Sequence, residues 1–143
     1  MKHTFIFLPG TWNVNGKYYD INGNETLVQG ESVIIHSDNL WLNKGYMKLL
    51  GDEPIEIRNQ YEIIPFQQDF TTWESFNPSI GRLTGRFMVV DDTIISLCVS
   101  EDGNYSGSEC MIKVSDMLYK SRGFAFKDNE KLSSWSVELT KAN

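Results

Sequence analysis

The sequence predicts an all-β protein, an antiparallel up-and-down barrel of about ten strands. Short runs rich in β-branched and aromatic residues recur along the whole chain. Turn signals such as Asn22-Gly23, Asp91-Asp92 and Asp102-Gly103 separate these runs. The connections leave no room for crossover helices, and closing an antiparallel sheet would remove its exposed edges. A two-sheet sandwich is the alternative, but its longer connections fit less well with so many close turns.

The predicted strands follow the turn signals in order. The clearest strand is 55–63, where Ile55, Ile57, Tyr61 and Ile63 alternate with polar residues and Asn59 is the one interruption. A period of two is typical of a strand with one buried face. The other predicted strands lie at about 11–19, 27–36, 42–50, 70–76, 82–90, 93–100, 105–114, 117–126 and 132–141. Ten strands enclose a wider interior than eight, so we expect a central cavity.

The composition fits one folded domain over residues 1–143. The chain is 41% hydrophobic and 13% aromatic, and no apolar run approaches the roughly 20 residues of a membrane-spanning helix. Thirteen Lys and Arg against nineteen Asp and Glu give a net charge of −6. This charge argues against nucleic acid or an anionic membrane as the main partner. The apolar run before Pro9 is shorter than a signal-peptide core, and two cysteines are too few for a disulfide scaffold, so we expect a cytoplasmic location.

Gly10-Thr11-Trp12 opens the first long strand and resembles the Gly-x-Trp signature of lipocalin and calycin barrels. The resemblance implies a barrel over nearly the whole chain, with Trp12 closing one end, often under a basic side chain from late in the chain. It also implies a central pocket for a small, mostly apolar molecule. The chain lacks a second lipocalin-type motif of Thr-Asp-Tyr character, and it lacks the helical lid and Arg-x-Tyr of fatty-acid-binding proteins. The resemblance therefore points to a lipocalin-like branch distinct from both.

Turn lengths assign the side chains of neighbouring strands to a common face, because a slip of one residue reverses every side chain. Two-residue turns at Asp102-Gly103 and Ser115-Asp116 align one apolar face across three strands, which we expect to be the interior. Its members are Ile95, Leu97, Val99, Ser106, Ser108, Cys110, Ile112, Val114, Met117, Tyr119 and Ser121.

The opposite face of these strands is expected in solvent. It pairs Glu109 with Arg122 and includes Leu118, Phe124 and Phe126. Cys98 and Cys110 fall on opposite faces, which makes a disulfide between them unfavourable.

Arg86 is the sharpest functional signal in this register. A two-residue Asp91-Asp92 turn places Thr84, Arg86 and Met88 on the inner face. A buried cation costs several kcal/mol unless it is paired, so an inward Arg86 needs an internal carboxylate, water in a roomy cavity or an acidic group on the ligand. The alternative is a slipped turn, which places Leu83, Phe87 and Val89 inside and Arg82 and Arg86 outside.

The last strand depends on the loop at residues 127–131. An odd loop turns Trp135, Val137 and Leu139 inward, whereas a two-residue turn exposes them, and burial of Trp135 favours the odd loop. The ligand-binding residues predicted from the whole register are Thr84, Arg86, Met88, Leu97, Ser108, Tyr119 and Trp135.

The sequence contains no recognisable catalytic or metal-binding motif. His3, His36 and the two cysteines lack zinc-ligand spacing, no phosphate-binding loop is present, and we expect no cofactor. The leading hypothesis is a non-enzymatic carrier or sensor of a small, mostly apolar molecule. One alternative is an isomerase or hydrolase that uses Tyr119 or an interior carboxylate such as Glu138. Another is an interaction module that pairs two barrels through its outer face as a homodimer.

Overall fold

The computed structural model describes residues 2–142, which form a closed barrel of ten antiparallel strands. The strands are β1 (Gly10–Tyr19), β2 (Glu25–His36), β3 (Trp41–Leu49), β4 (Ile55–Ile63), β5 (Phe70–Asn77), β6 (Gly81–Val90), β7 (Thr93–Ser100), β8 (Tyr105–Ser115), β9 (Leu118–Lys127) and β10 (Glu130–Lys141). Each strand pairs with the next, and β10 pairs with β1. The predicted all-β, up-and-down barrel is confirmed.

The tight turns have the chemistry that the sequence indicated. Asp128 and Asn129 both adopt positive φ angles, of 53° and 67°. This is the conformation of a two-residue turn whose twist matches that of the flanking strands, and Asn and Asp tolerate it better than most residues. Val90 pairs with Thr93 across a second two-residue turn, at Asp91-Asp92.

One end of the barrel is closed by residues 2–9, which we call the N-terminal plug. Phe5 and Ile6 are buried there, and Trp12 packs edge-to-face on Phe5 with ring centroids 5.3 Å apart. The Lys141 ammonium lies 6.0 Å from the centroid of the Trp12 ring. Trp12 therefore sits at the closed end beside a basic side chain from late in the chain, as the lipocalin resemblance implied.

A buried hydrogen-bond chain ties the plug to the strands. The Thr4 backbone N–H donates to the Tyr119 hydroxyl at 3.0 Å, and this hydroxyl lies 2.8 Å from His3 Nδ1. His3 Nε2 is 2.8 Å from the Asp91 carbonyl oxygen, which can only accept, so Nε2 carries the proton. In neutral His3 the Nδ1 atom then accepts from Tyr119, and every member of the chain has a partner.

The pairing of β6, β7 and β8 agrees with the prediction, but the face predicted to line the interior is the outer face, and the face predicted in solvent is the inner one. Arg86 pairs with Leu97, and Leu97 pairs with Ser108, as expected. The buried side chains, however, are Phe87 and Ile94, while Leu97 is 52% exposed. The expected inward orientation of Thr84, Arg86, Met88 and Leu97 is therefore wrong.

The reversal has a physical cause in β7. Its outer face carries Ile95, Leu97 and Val99, whereas its inner face alternates Ile94 with the polar Ser96 and Ser100. An assignment that turns the more apolar face inward therefore fails on this strand. The slipped-turn alternative was right about the faces of Leu83, Phe87 and Arg86, although the turn itself does not slip.

A bulge between Lys113 and Ser115 changes the alternation between β8 and β9. Its extra residue turns Tyr119 and Ser121 inward, as predicted, although Ile112 on the preceding strand is on the outer face. Glu109 consequently pairs with Gly123 rather than Arg122. The expected surface pair between Glu109 and Arg122 is wrong.

A second bulge, between Lys131 and Ser133, lies in β10. It turns Trp135, Val137 and Leu139 inward although the preceding turn has two residues, since Lys127 pairs with Glu130. The predicted inward orientation of Trp135 is confirmed, but the odd loop is not its cause.

Candidate ligand cavity

A cavity of about 200 Å³ lies inside the barrel above the N-terminal plug. Phe5, Ile6, Leu83 and Phe87 supply apolar surface. The polar groups of the lining are carried by Asn43, Asn59, Ser96, Ser121 and Glu109. The cavity therefore combines apolar surface with a small set of hydrogen-bonding groups, which is the usual composition of a small-molecule site.

Two tryptophans form facing parts of the cavity wall, each packed over a glycine of the adjacent strand. A Cβ atom added to Gly85 would lie 2.0 Å from Cε2 of Trp73, and one added to Gly123 would lie 2.3 Å from Cε2 of Trp135. Neither glycine can therefore be replaced without moving an indole. Glycine inside a strand often marks such a close approach, and this is the signal from which the arrangement could have been inferred.

Glu109 places a carboxyl group in this cavity. Its Oε2 atom accepts hydrogen bonds from Trp135 Nε1 and from Ser121 Oγ, both at 2.8 Å. Among the described residues Oε1 has no hydrogen-bond partner, and it retains access to the cavity. Burial raises the pKa of Glu109, which the two hydrogen bonds only partly oppose.

Other strands of the cavity wall carry further polar groups. Trp73 Nε1 donates to Ser96 Oγ at 3.3 Å, and Ser32 Oγ donates to Asn43 Oδ1. The Tyr61 ring packs edge-to-face on Trp73, with centroids 5.1 Å apart. Burial raises the pKa of Tyr61, so its hydroxyl stays protonated and can act as a donor.

Cys98 also lines the cavity, whereas Cys110 lies on the outer side of the next strand. Both are free thiols, in agreement with the prediction that they lie on opposite faces. Burial raises the pKa of the Cys98 thiol, which disfavours the reactive thiolate.

The barrel wall is incomplete between β4 and β5. These strands pair only from Tyr61 to Ile63 and from Trp73 to Ser75, which leaves residues 55–60 of β4 without a β5 partner. Ile55 and Ile57 lie on the inner side of this unpaired stretch and are partly exposed. The gap begins beside Asn59 and Tyr61 of the cavity lining.

The structure divides the ligand-binding residues that the sequence predicted. Trp135 and Ser108 line the cavity, and Tyr119 is fully buried in the hydrogen-bond chain of the plug. Thr84, Arg86 and Leu97 line a groove on the outer surface instead. Met88 is exposed on the same outer side.

Glu138, expected as an interior carboxylate, is exposed on the outer face of β10. Glu109 occupies the interior instead. Sequence reasoning missed Glu109 because it turned the more apolar face of β7 inward, and Glu109 pairs with Ser96 on the other face.

The described residues contain no group of three or more His, Cys, Asp or Glu side chains arranged to hold a metal ion. In the part of the chain that the structure describes, no helix has the length and apolarity needed to cross a membrane.

No protein-family model matches the chain, and a search of curated proteins finds no match. Among solved structures, the chain is similar to the S-type phycobiliprotein lyase CPES from Guillardia theta, with a TM-score of 0.70. The alignment covers 97% of this chain and 91% of the lyase chain. The likeness shows a shared fold, which in this chain is a closed barrel of ten antiparallel strands. At 10% sequence identity, the likeness extends to the fold and not to activity.

Proposed function

We propose that this lipocalin-like barrel binds a small, mostly apolar molecule in its interior, as a carrier or sensor. The observation that carries the proposal is the cavity of about 200 Å³ between Trp73 and Trp135. An apolar protein cavity of about 150 Å³ accommodates benzene, so this one has room for a ligand of one or two rings. Burial of roughly 200 Å² of apolar ligand surface contributes about 5 kcal/mol before the cost of association.

The two cysteines supply a matched pair of variants for testing this function. Cys98→Phe fills the cavity from β7, whereas Cys110→Phe adds the same ring on the outer side of β8. The probe is 1-naphthalenemethanol, a neutral two-ring molecule, and its binding is measured by isothermal titration calorimetry. We expect the wild type and Cys110→Phe to bind it and Cys98→Phe to lose binding. Equal binding by both variants would place the probe outside the barrel and contradict the proposal.

Native mass spectrometry of gently purified protein addresses the natural ligand. A small mass that is lost on denaturation would identify the bound molecule by its mass. The likeness to the phycobiliprotein lyase supports the barrel fold on which this proposal rests.

A second candidate function is self-association through the outer side of β5–β9. This surface exposes nine large apolar side chains: Phe70, Met88, Val90, Leu97, Val99, Ile112, Val114, Phe124 and Phe126. At their exposed fractions these side chains present roughly 800 Å², about the area that each partner contributes to a standard interface. The observation favours a second copy of the chain as the occupant of this face.

Analytical ultracentrifugation tests the dimer. We expect the wild type to sediment as a dimer and Leu97→Glu to sediment as a monomer. Leu27→Glu, at an exposed leucine on β2, is the control and should remain dimeric. A wild-type protein that stays monomeric at millimolar concentration would rule out this interface.

A further inference from the structure

The cavity lining has an uneven charge composition. Glu109 places a carboxyl group inside it, and none of the described residues that line it is Lys, Arg or His. The interior of the barrel therefore favours positive over negative charge in a ligand. This preference was not expected from Arg86, which would have selected an acidic ligand had it pointed inward.

Glu109 is the carboxyl group that is held in a defined position. Trp135 Nε1 and Ser121 Oγ both donate to Oε2, which fixes the plane of the carboxyl group. The other oxygen, Oε1, accepts no hydrogen bond from the described residues and has access to the cavity. Because Oε1 can be reached from the cavity, a ligand bound there can donate a hydrogen bond to it in place of water.

We propose that Glu109 Oε1 is the anchor for the polar head of the ligand, and that the ligand class is an apolar ring-bearing amine. This inference rests on the proposed function. The ring would occupy the apolar space between Trp73 and Trp135, where aromatic faces can pack on it. The ammonium or amine N–H would donate to Oε1, forming a charge-assisted hydrogen bond when Glu109 is ionised.

The surroundings of Glu109 agree with this assignment. Burial raises the pKa of Glu109, because the ionised form has no nearby cation to compensate for lost solvation. Tyr61 and Cys98, which face the same space, are held in their neutral forms by burial. A cationic ligand would supply the missing positive charge, whereas an anionic one would meet a second like charge.

Three ligands with the same ring system test the head-group preference by isothermal titration calorimetry at pH 7.5. They are 1-naphthylmethylamine, 1-naphthalenemethanol and 1-naphthoate, which carry a cationic, a neutral and an anionic head. We expect the wild type to bind the amine at least about tenfold more tightly than the carboxylate, a ratio within reach of one charge-assisted hydrogen bond.

Glu109→Gln keeps the shape of the side chain and an oxygen that can accept from Trp135 and Ser121. It should bring the affinities for the amine and the alcohol within about threefold of each other, since the charge-assisted part of the bond is lost. Glu138→Gln removes the same charge from the outer face of β10 and should leave the wild-type preference unchanged.

The outcomes separate this inference from the function on which it rests. If the wild type binds all three ligands equally, or prefers the carboxylate, the cavity function stands and the anchor is overturned. If Glu109→Gln retains the full preference for the amine, Glu109 is not the anchor. If the wild type binds none of the three, the cavity function is overturned together with the anchor. The comparison within the wild type does not depend on the folding of any variant.

Discussion

Gly123→Ala is predicted to disrupt the wall of the cavity through a single added methyl group. The new Cβ atom would lie 2.3 Å from Cε2 and from Cζ2 of Trp135, and 2.6 Å from its Nε1. These distances are far inside van der Waals contact, so the indole must move. Movement of the ring breaks the 2.8 Å hydrogen bond from Nε1 to Glu109 Oε2.

The magnitude follows from three contributions to the free energy of unfolding. Overpacking costs about 1–3 kcal/mol, and loss of a hydrogen bond to a carboxyl group costs about 1.5–3 kcal/mol. Replacing glycine also restricts the unfolded chain, which offsets about 0.4–1 kcal/mol. The expected net destabilisation is about 2–5 kcal/mol, measured by urea unfolding.

Gly107→Ala provides the matched control on β8. Its added Cβ atom would lie 3.1 Å from the Phe124 carbonyl oxygen and 3.3 Å from Cys98 Sγ, distances that small adjustments relieve. We expect it to destabilise by less than about 1 kcal/mol, since only neighbouring atoms must shift slightly.

A double-mutant cycle with Trp135→Leu identifies the cause. If the indole is the obstacle, adding Gly123→Ala to Trp135→Leu should cost little, and the two substitutions will be strongly non-additive. Additive losses, or a Gly123→Ala protein as stable as Gly107→Ala, would refute the proposed packing of Trp135 on Gly123.

Two further predictions concern buried polar groups. Tyr119→Phe leaves His3 Nδ1 and the Thr4 N–H without their hydrogen-bond partner. The free energy of unfolding should therefore fall by about 1–3 kcal/mol. A fall of less than about 0.5 kcal/mol would contradict the hydrogen-bond chain. Glu109→Gln should change the pH dependence of stability. Burial raises the pKa of Glu109 in the folded protein above its value in the unfolded chain. Between these two pKa values the folded wild type keeps a proton that the unfolded chain has released, so the free energy of unfolding falls as the pH rises through this range. The advantage of Glu109→Gln in urea unfolding should therefore grow between pH 4 and pH 8, by about 1.4 kcal/mol for each unit by which the pKa is raised. A difference that does not vary with pH would contradict the burial of this carboxyl group.

The order and pairing of the strands could be predicted because turn chemistry and a period of two are local properties. Asp91-Asp92 and Asp102-Gly103 each place two strands in register with no information from distant residues. Local sequence does not decide in the same way which face of a strand turns toward the barrel interior. On β7, both Ile94 and Ile95 are candidates for the core, and the outer face is the more apolar of the two.

The bulges limited the prediction of the site. The bulge between Lys113 and Ser115 carries no glycine, proline or other marker, yet it reverses the alternation of side chains between β8 and β9. The bulge changed the β9 partner of Glu109, but Glu109 was assigned to solvent because the more apolar face of β7 was taken as the inner one. Trp135 was placed correctly because its size alone favours burial, whatever the loop before it does.

The hydrogen-bond chain of the plug has a consequence for how the protein is made. His3 and its partner Tyr119 are 116 residues apart, so a ribosome completes almost the whole barrel before these two side chains can meet. Until then Phe5 and Ile6 have no closed end to fill and remain exposed on the nascent chain. Contacts of such long sequence separation form slowly, and sealing of the barrel is therefore expected as a late folding step.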